Sequence, residues 1–595
     1  MNRFLPAALL AVLVCSSLGT SLFGGFVWDD TPLIVDNSLV KSPSGLLTIL
    51  TSSFWETGDR HDRFRSYFRP LVSLSYALDY AVWGLNPTGF HLTNLLLHFL
   101  CCWLVYRICI SEELPPWAGL GGAALYAVHP VHVESVAWIS GRTDLICASF
   151  LLASFIFARR SGGRARAISL VLFALALFSK EMAATLPVLV FGDRLLSRGG
   201  VKRNLRSALT KAWPYLAVLG LYLAVRWLVL DRGAAQIFEM SLASYAATAL
   251  FVVARYLMLL ILPVGLDAHY PYEPLKGPLV PIALLATLML AVVFVSTRPL
   301  SRNSPRGLYW LGWIFVSMLP VLALGRFGDV LMADRFLYIP SVGLAALAAL
   351  SLRVVACGER PFLSLRPVVV TMVLLVVLLA SLSVRRSLVW RDDYTLFSDM
   401  AETSSHSALV RYNLGLALYS RGEHDAAMEE FRAAVALSPS YSLAYNNLAA
   451  ALEREGRLGE AFVNYREALR LAPGLVEAGA NAGNLLVRLD RPDDGLALLR
   501  EIVELHPRSP IALYALADGL DRIGRGDEAL PLLERALRAD PRHAESHYLT
   551  GKILSDRGRI EEAASSMSRF LELWEEEGEH TAAARRIIER AASGE

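Results

Sequence analysis

Apolar stretches at or near the length needed to span a bilayer recur through the first two-thirds of the chain. They fall at about 4–24, 89–110, 118–137, 144–158, 166–179, 182–196, 213–230, 246–266, 279–297, 308–325, 335–355 and 367–385. Several are short, which suggests tilted or partly re-entrant segments packed against their neighbours. The first follows Arg3 and runs almost unbroken to Phe26. It lacks a convincing A-x-A cleavage site, and the "LVC" ending at Cys15 has Val where a lipoprotein signal carries a small residue. The run is therefore read as an uncleaved membrane helix.

Lysine and arginine in short loops set the expected orientation. "ARRSGGRARA" (158–167), "DRLLSRGGVKRNLR" (193–206) and "RPLSRNSPR" (298–306) are the basic loops, and each is expected in the cytoplasm. Counting back from the first puts residues 27–88 outside, and counting forward from the last puts everything after about 385 outside too. Three apolar stretches lie between the second and third basic loops, where two cytoplasmic ends require an even number. One of them, within 231–266, is expected not to span simply. About eleven spans remain, with the N-terminus inside and the C-terminus outside.

The chain has 595 residues and is 54% hydrophobic, with most of the excess before residue 390. A formal net charge of +2 gives no electrostatic case for a nucleic-acid partner. The six cysteines show neither a CxxC pair nor metal-ligand spacing, which argues against a disulfide framework. After Trp390 an internal repeat takes over. Pro439, Pro473, Pro507 and Pro541 are each 34 residues apart, as are Gly422 and Gly456, then Gly524 and Gly558 after one skipped unit. Ala427, Ala461, Ala529 and Ala563 keep the same period, with Gly495 in the missing place. This is the tetratricopeptide pattern, in which small residues let two helices pack closely and a Pro ends the second. About five units predict an α-solenoid whose concave groove suits an extended peptide. The expected fold class is all-α: a polytopic membrane domain at 1–390 with a first outer loop at 27–88, a linker at 391–406, repeats at 407–576 and a helical tail at 577–595.

Ionisable groups in apolar spans are costly, so each calls for a partner or a water-filled cavity. His91, Asn94 and His98 lie on one helical face, where a polar stripe bonding neighbouring helices is the ordinary alternative to a site. "LYAVHPVHVESVAWISGRTDL" gathers His129, His132, Glu134, Arg142 and Asp144 around an outward-facing helix end, more than packing alone explains. Its H-x-x-H-x-E could suggest zinc, but Pro130 between the histidines breaks helix geometry. Lys180 and Glu181 lie between two apolar runs, with a mutual ion pair as the bland reading. "GRFGDVLMADRFLYIPS" adds Arg326, Asp329, Asp334 and Arg335, where a cation could face a lipid phosphate or simply pair with Asp334. In "GGFVWDDTPLIVDN", Asp29 and Asp30 sit where the chain leaves the first span. One carboxylate could take a proton from an acceptor hydroxyl while the other orients it, and the alternative is an N-cap or interfacial turn.

"FVWDD", "YFRPLVSLSYALDYAVWGLNPTGFHLTNLLLH", "LYAVHPVHVESVAWISGRTDL", "LFSKEMAATLPVLVFGDRLL" and "DRFLYIPSVG", followed by tetratricopeptide repeats, resemble the TMTC proteins. This transmembrane and tetratricopeptide repeat-containing family includes protein O-mannosyltransferases of the GT-C glycosyltransferase class. The resemblance implies a polyprenyl-phosphate sugar donor and a catalytic acid in the first outer loop, Asp29 or Asp30. It implies that His91, His129, His132, Glu134, Arg142 and Asp144 line a donor and acceptor cavity. Arg69, Lys180 and Arg335 become candidates for contact with the lipid phosphate. No metal ligand is assigned, and a need for a divalent metal is left open. The short repeat array and the Ala, Leu and Arg-rich composition point to a bacterial inner membrane, and so to undecaprenyl rather than dolichyl phosphate. The expected partners are the lipid donor, the membrane, and a protein or peptide acceptor held by repeats on the non-cytoplasmic side, with no nucleic acid. The function implied is transfer of a sugar such as mannose to Ser or Thr of exported proteins. The competing readings are a non-catalytic membrane scaffold whose repeats recruit partners, and a lipid or saccharide transporter.

Overall fold

Proline opens several of the membrane helices. Pro6, Pro70, Pro87 and Pro116 each occupy the first turn, where a missing N–H breaks no intrahelical bond. These helices are seen in a computed structural model that describes residues 4–43, 45–55, 67–197, 201–230, 241–271, 287, 305–322, 330–357, 365–574 and 577–593. The chain divides into two compact units, Met1–Ser404 and Ser405–Glu595.

In the first unit, six described helices are long and apolar enough to cross a bilayer: Leu5–Phe23, Pro87–Ile110, Ile139–Ala158, Asn204–Val229, Ala243–Ile261 and Pro367–Trp390. Arg306–Leu322 and Ser341–Val354 are apolar but shorter. The expected stretch at 279–297 lies outside the described residues except for 287. The stretch at 118–137 is not one helix. Helix Pro116–Val128 stops before Pro130, and the chain continues as a 3-10 turn at Pro130–His132, a short helix at Val133–Ala137 and another 3-10 turn at Ile139–Gly141. Proline has no N–H to continue the ladder, and the His129 ring accepts the Val131 N–H at 3.4 Å in its place. Every residue of this broken segment is buried.

The three basic loops meet through their charges. Arg159 pairs with Glu112 at 2.5 Å and with Asp193 at 3.1 Å, while Arg306 pairs with Asp193 at 3.0 Å and also with Glu112. This cluster closes one end of the helix Ile139–Ala158. Ser140 and the broken segment lie at the other end, about 30 Å away for 20 residues at 1.5 Å each. That separation matches the thickness of a bilayer's hydrocarbon core.

The stretch 391–406, expected as a linker, holds the helix Asp393–Thr403 within the first unit. Asp392 and Thr395 form a reciprocal capping box that starts it. Tyr270–Pro271 and Val330–Met332 add a short antiparallel ladder.

The second unit is built from helix pairs: Ala408–Ser420 with His424–Leu437, Ser442–Arg454 with Leu458–Leu471, Val476–Arg488 with Pro492–Leu505, Pro510–Arg522 with Gly526–Ala539, and Ala544–Asp556 with Ile560–Leu573. Glu579–Ser593 follows them. Gly422, Gly456, Gly524 and Gly558 end the first helices with φ between +74° and +81°. The unit without that glycine has Asp490 there at φ +58°, a left-handed conformation that a short polar side chain tolerates.

Candidate functional site

The turn that carries the two acids is held from several directions. Trp28 has φ +52°, a conformation that costs an aromatic residue energy and persists only where the surroundings impose it. Its indole stacks on Trp138 at 5.6 Å, and Trp138 stacks on Trp390 at 5.6 Å. The Phe397 ring meets Trp28 edge-on at 6.0 Å, and Asp393 Oδ1 accepts the Trp28 N–H at 2.8 Å. Below the turn, His91 Nε2 donates to the Gly25 carbonyl at 3.4 Å.

The two acids differ in environment. Asp30 is completely buried. Its Oδ2 accepts the Val27 N–H at 3.0 Å, and its Oδ1 accepts the Ser140 N–H at 2.8 Å and the Ser140 hydroxyl at 2.5 Å. Burial raises the Asp30 carboxyl from 3.8 to about 7, against the opposing pull of those donors. Asp30 thereby pins the first loop to the broken segment. Asp29 is half-buried, and its charge acts on the Arg335 guanidinium.

Most of the remaining expected residues are committed to one another. Glu134 accepts the Arg335 backbone N–H at 2.8 Å and pairs with its guanidinium, so the partner of Arg335 is Glu134 and not Asp334. Asp334 accepts instead from the Tyr270 hydroxyl at 2.8 Å. Arg326 and Asp329 lie outside the described residues. Lys180 and Glu181 do not pair mutually: Lys180 Nζ donates to both oxygens of Asp144 at 2.7 and 2.6 Å, and Glu181 pairs with Arg69 at 2.9 Å. Lys180 and Arg335 each lie 5.2 Å from the Phe336 ring, so one aromatic side chain sits beside two of the three candidate phosphate contacts. Arg69 stacks on Tyr67 at 4.4 Å. The fields of Arg69 and Arg335 both reach Lys180, which brings all three cations into one neighbourhood.

Arg142 is buried in a different role. It pairs with Asp79 at 2.6 Å, donates to Asn94 Oδ1 at 2.7 Å and to the Phe90 carbonyl at 2.8 Å, and stacks on Tyr76 at 5.2 Å. Asn94 in turn donates to the carbonyls of Val136, Trp138 and Ile139 at 3.1–3.3 Å. Asn94 thereby satisfies carbonyls that the broken segment leaves unpaired, and Arg142 holds Asn94 in place through its side-chain oxygen. The histidines follow the same logic. His129 Nε2 donates to the Leu260 carbonyl at 3.0 Å, His132 Nδ1 to the Tyr126 carbonyl at 2.7 Å and His98 Nε2 to the Ala127 carbonyl at 3.1 Å. The second nitrogens face Val131, Ser341 and Tyr338. Both nitrogens of each of these three rings are engaged within the fold, and no group of three metal-ligating side chains occurs among the described residues.

Sequence reasoning missed Ser140, Trp138, Trp390 and Asp393. Ser140, Trp138 and Asp393 meet the first loop from more than a hundred residues away, Trp390 stacks on Trp138 from a similarly distant part of the chain, and no periodicity ties such positions together.

The fold and site define an all-α, polytopic membrane protein that carries a tetratricopeptide solenoid. Models described as "Tetratricopeptide repeat" match residues 443–474, 481–520 and 514–578, and one described as "TPR repeat" matches 415–456. The chain is 26% identical over 477 residues to Protein O-mannosyl-transferase TMTC3 of Mus musculus, covering 73% of this chain and 51% of that one. It is 26% identical over 463 residues to Protein O-mannosyl-transferase F38B6.6 of Caenorhabditis elegans, covering 74% and 63%. It is 28% identical over 499 residues to Protein O-mannosyl-transferase TMTC1 of Homo sapiens, covering 74% and 56%. The resemblance to the TMTC proteins thus extends over nearly three-quarters of the chain, and the chain spans between about half and two-thirds of the length of these relatives.

Proposed function

We propose that this protein is a membrane glycosyltransferase that moves a sugar, mannose by its relatives' names, from a polyprenyl phosphate to Ser or Thr hydroxyls on the non-cytoplasmic face. One observation carries this reading: a half-buried carboxylate, Asp29, lies on an anchored turn within electrostatic reach of Arg335, which neighbours Lys180 and Arg69. The acceptor hydroxyl attacks the anomeric carbon and gives its proton to Asp29 as the bond to the phosphate oxygen breaks. The leaving phosphate takes up the electron pair, and Arg69, Lys180 and Arg335 stabilise its charge. Each cation keeps donors beyond its paired carboxylate, and Arg69 Nε is buried without a partner among the described residues. Asp30 serves as the anchor and Asp29 as the base.

The shared end of the three basic loops supports a cytoplasmic placement for that end, which puts Asp29 and the C-terminal end of helix Pro367–Trp390 outside. The peptide acceptor is proposed to engage the repeats, whose stacked pairs offer an extended surface. The test is transfer of labelled mannose from a polyprenyl phosphate to a Ser/Thr peptide by the full-length protein in membranes. Asp29→Asn should insert at normal abundance and lose at least about a hundredfold in rate, because an amide cannot take the proton. Normal transfer by that variant overturns the assignment and favours a scaffold.

A further inference from the structure

We propose that Asp393 is a positioning residue for transfer, fixing through the Trp28 N–H the turn that presents Asp29. The inference rests on the reading of Asp29 as the base. Trp28 is the residue immediately before that base, and its left-handed backbone determines where the next side chain points. Neither a glycine nor an asparagine occupies the position, so nothing local favours the conformation. Contacts with distant parts of the chain must impose it. On the indole side these are Trp138 and the edge of Phe397. On the backbone side, the Trp28 N–H donates to Asp393 Oδ1 at 2.8 Å, a bond to a carboxylate and so stronger than one to a neutral oxygen.

Asp393 is available for this because its own helix does not need its side chain. The N-cap of Asp393–Thr403 is Asp392, whose carboxylate accepts the Thr395 N–H at 2.8 Å while the Thr395 hydroxyl accepts the Asp392 N–H at 3.2 Å. The helix is held in the first unit independently, by Arg386 on Asp399 at 2.6 Å and by the Ser404 hydroxyl on the His269 carbonyl at 3.0 Å. Loss of the Asp393 carboxylate should therefore release the turn without unfolding the helix. A base displaced by about an ångström can lose up to two orders of magnitude in rate, so loss of one of several restraints is expected to cost about tenfold.

The test compares Asp393→Ala with Asp393→Asn in the full-length protein in membranes, with two readouts. Amide hydrogen exchange is followed over 24–35 and 393–403, and transfer is measured with mannosyl polyprenyl phosphate and a Ser/Thr peptide. Asn still offers an oxygen to the Trp28 N–H and should stay within about threefold of the parent in both readouts. Ala should speed exchange over 24–35 by about tenfold, leave 393–403 protected, and lower kcat by about tenfold at an unchanged KM for the donor. Unchanged exchange at 24–35 in Asp393→Ala overturns the proposal, as does loss of protection at 393–403 or an equal loss in Asp393→Asn. Full activity of Asp29→Asn, or no transfer by the parent, defeats the assignment of the base. The exchange readout then decides by itself whether Asp393 holds the turn.

Discussion

Three donors converge on Asp30, and their geometry sets what its replacement should do. In Asp30→Asn the amide nitrogen must face either the Val27 N–H or the Ser140 pair, donor against donor. The expected cost is about 1–3 kcal/mol, seen as a lower melting temperature and weaker membrane abundance. Asp29 is half-buried where Asp30 is fully enclosed, so Asp29→Asn should cost less stability, and adjacent, chemically identical substitutions should separate into an activity defect and a stability defect. The raised Asp30 carboxyl adds a pH dependence. Its protonated form is favoured in the folded protein, so its contribution to stability is full below about 4 and is lost as pH rises through about 7. Melting temperature followed from pH 4 to 8 should show this fall in the parent and lose that component in Asp30→Asn.

Among elements, the broken segment depends most on side chains from its neighbours. Arg142 joins it to helix Pro70–Trp83 through Asp79 and to helix Pro87–Ile110 through Asn94 and the Phe90 carbonyl. Removing the cation strands Asp79 in a buried setting, at a cost of about 3–5 kcal/mol for a broken buried pair. Arg142→Ala is therefore expected to be poorly inserted or rapidly degraded, measured as membrane abundance, where a substrate-binding role would leave abundance intact. In the solenoid, Gly495 departs from the alanine of the other four units for a local reason. A Cβ there would meet the Gly483 carbonyl oxygen at 2.6 Å and Val487 Cγ2 at 2.8 Å. Gly495→Ala, the substitution that periodicity alone recommends, should destabilise by about 1–3 kcal/mol in chemical denaturation of residues 405–595.

For the whole molecule, orientation is the property most open to a decisive measurement. Arg159, Asp193 and Arg306 bring the three basic loops to one end, and Asp30 meets Ser140 at the other end of helix Ile139–Ala158. If the basic end is cytoplasmic, protease added to the outer face of sealed cells should remove the repeats while the loops at 158–167 and 193–206 stay intact. Protection of the repeats until the cytoplasmic side is opened would invert the topology and place Asp29 inside.

The sequence by itself determined the parts that rest on regular spacing and composition. The 34-residue period located the solenoid and its helix pairs, because each unit repeats the same local packing problem. Apolar run length marked the six described helices long enough to cross a bilayer, fewer than the roughly eleven spans expected, and did not distinguish them from the broken stretch at 118–137. Motif resemblance singled out Asp29, Asp30, Glu134, Lys180 and Arg335 but not what each touches. Only the tertiary structure decided that Arg335 pairs with Glu134, that Lys180 and Glu181 take separate partners, that the histidines serve backbone carbonyls, and that a stretch expected as a linker grips the Trp28 turn. The reason is physical. A buried charge or N–H takes whichever partner packing brings within about 3 Å, and across folded helices that partner can lie 365 residues away, where no local pattern records it.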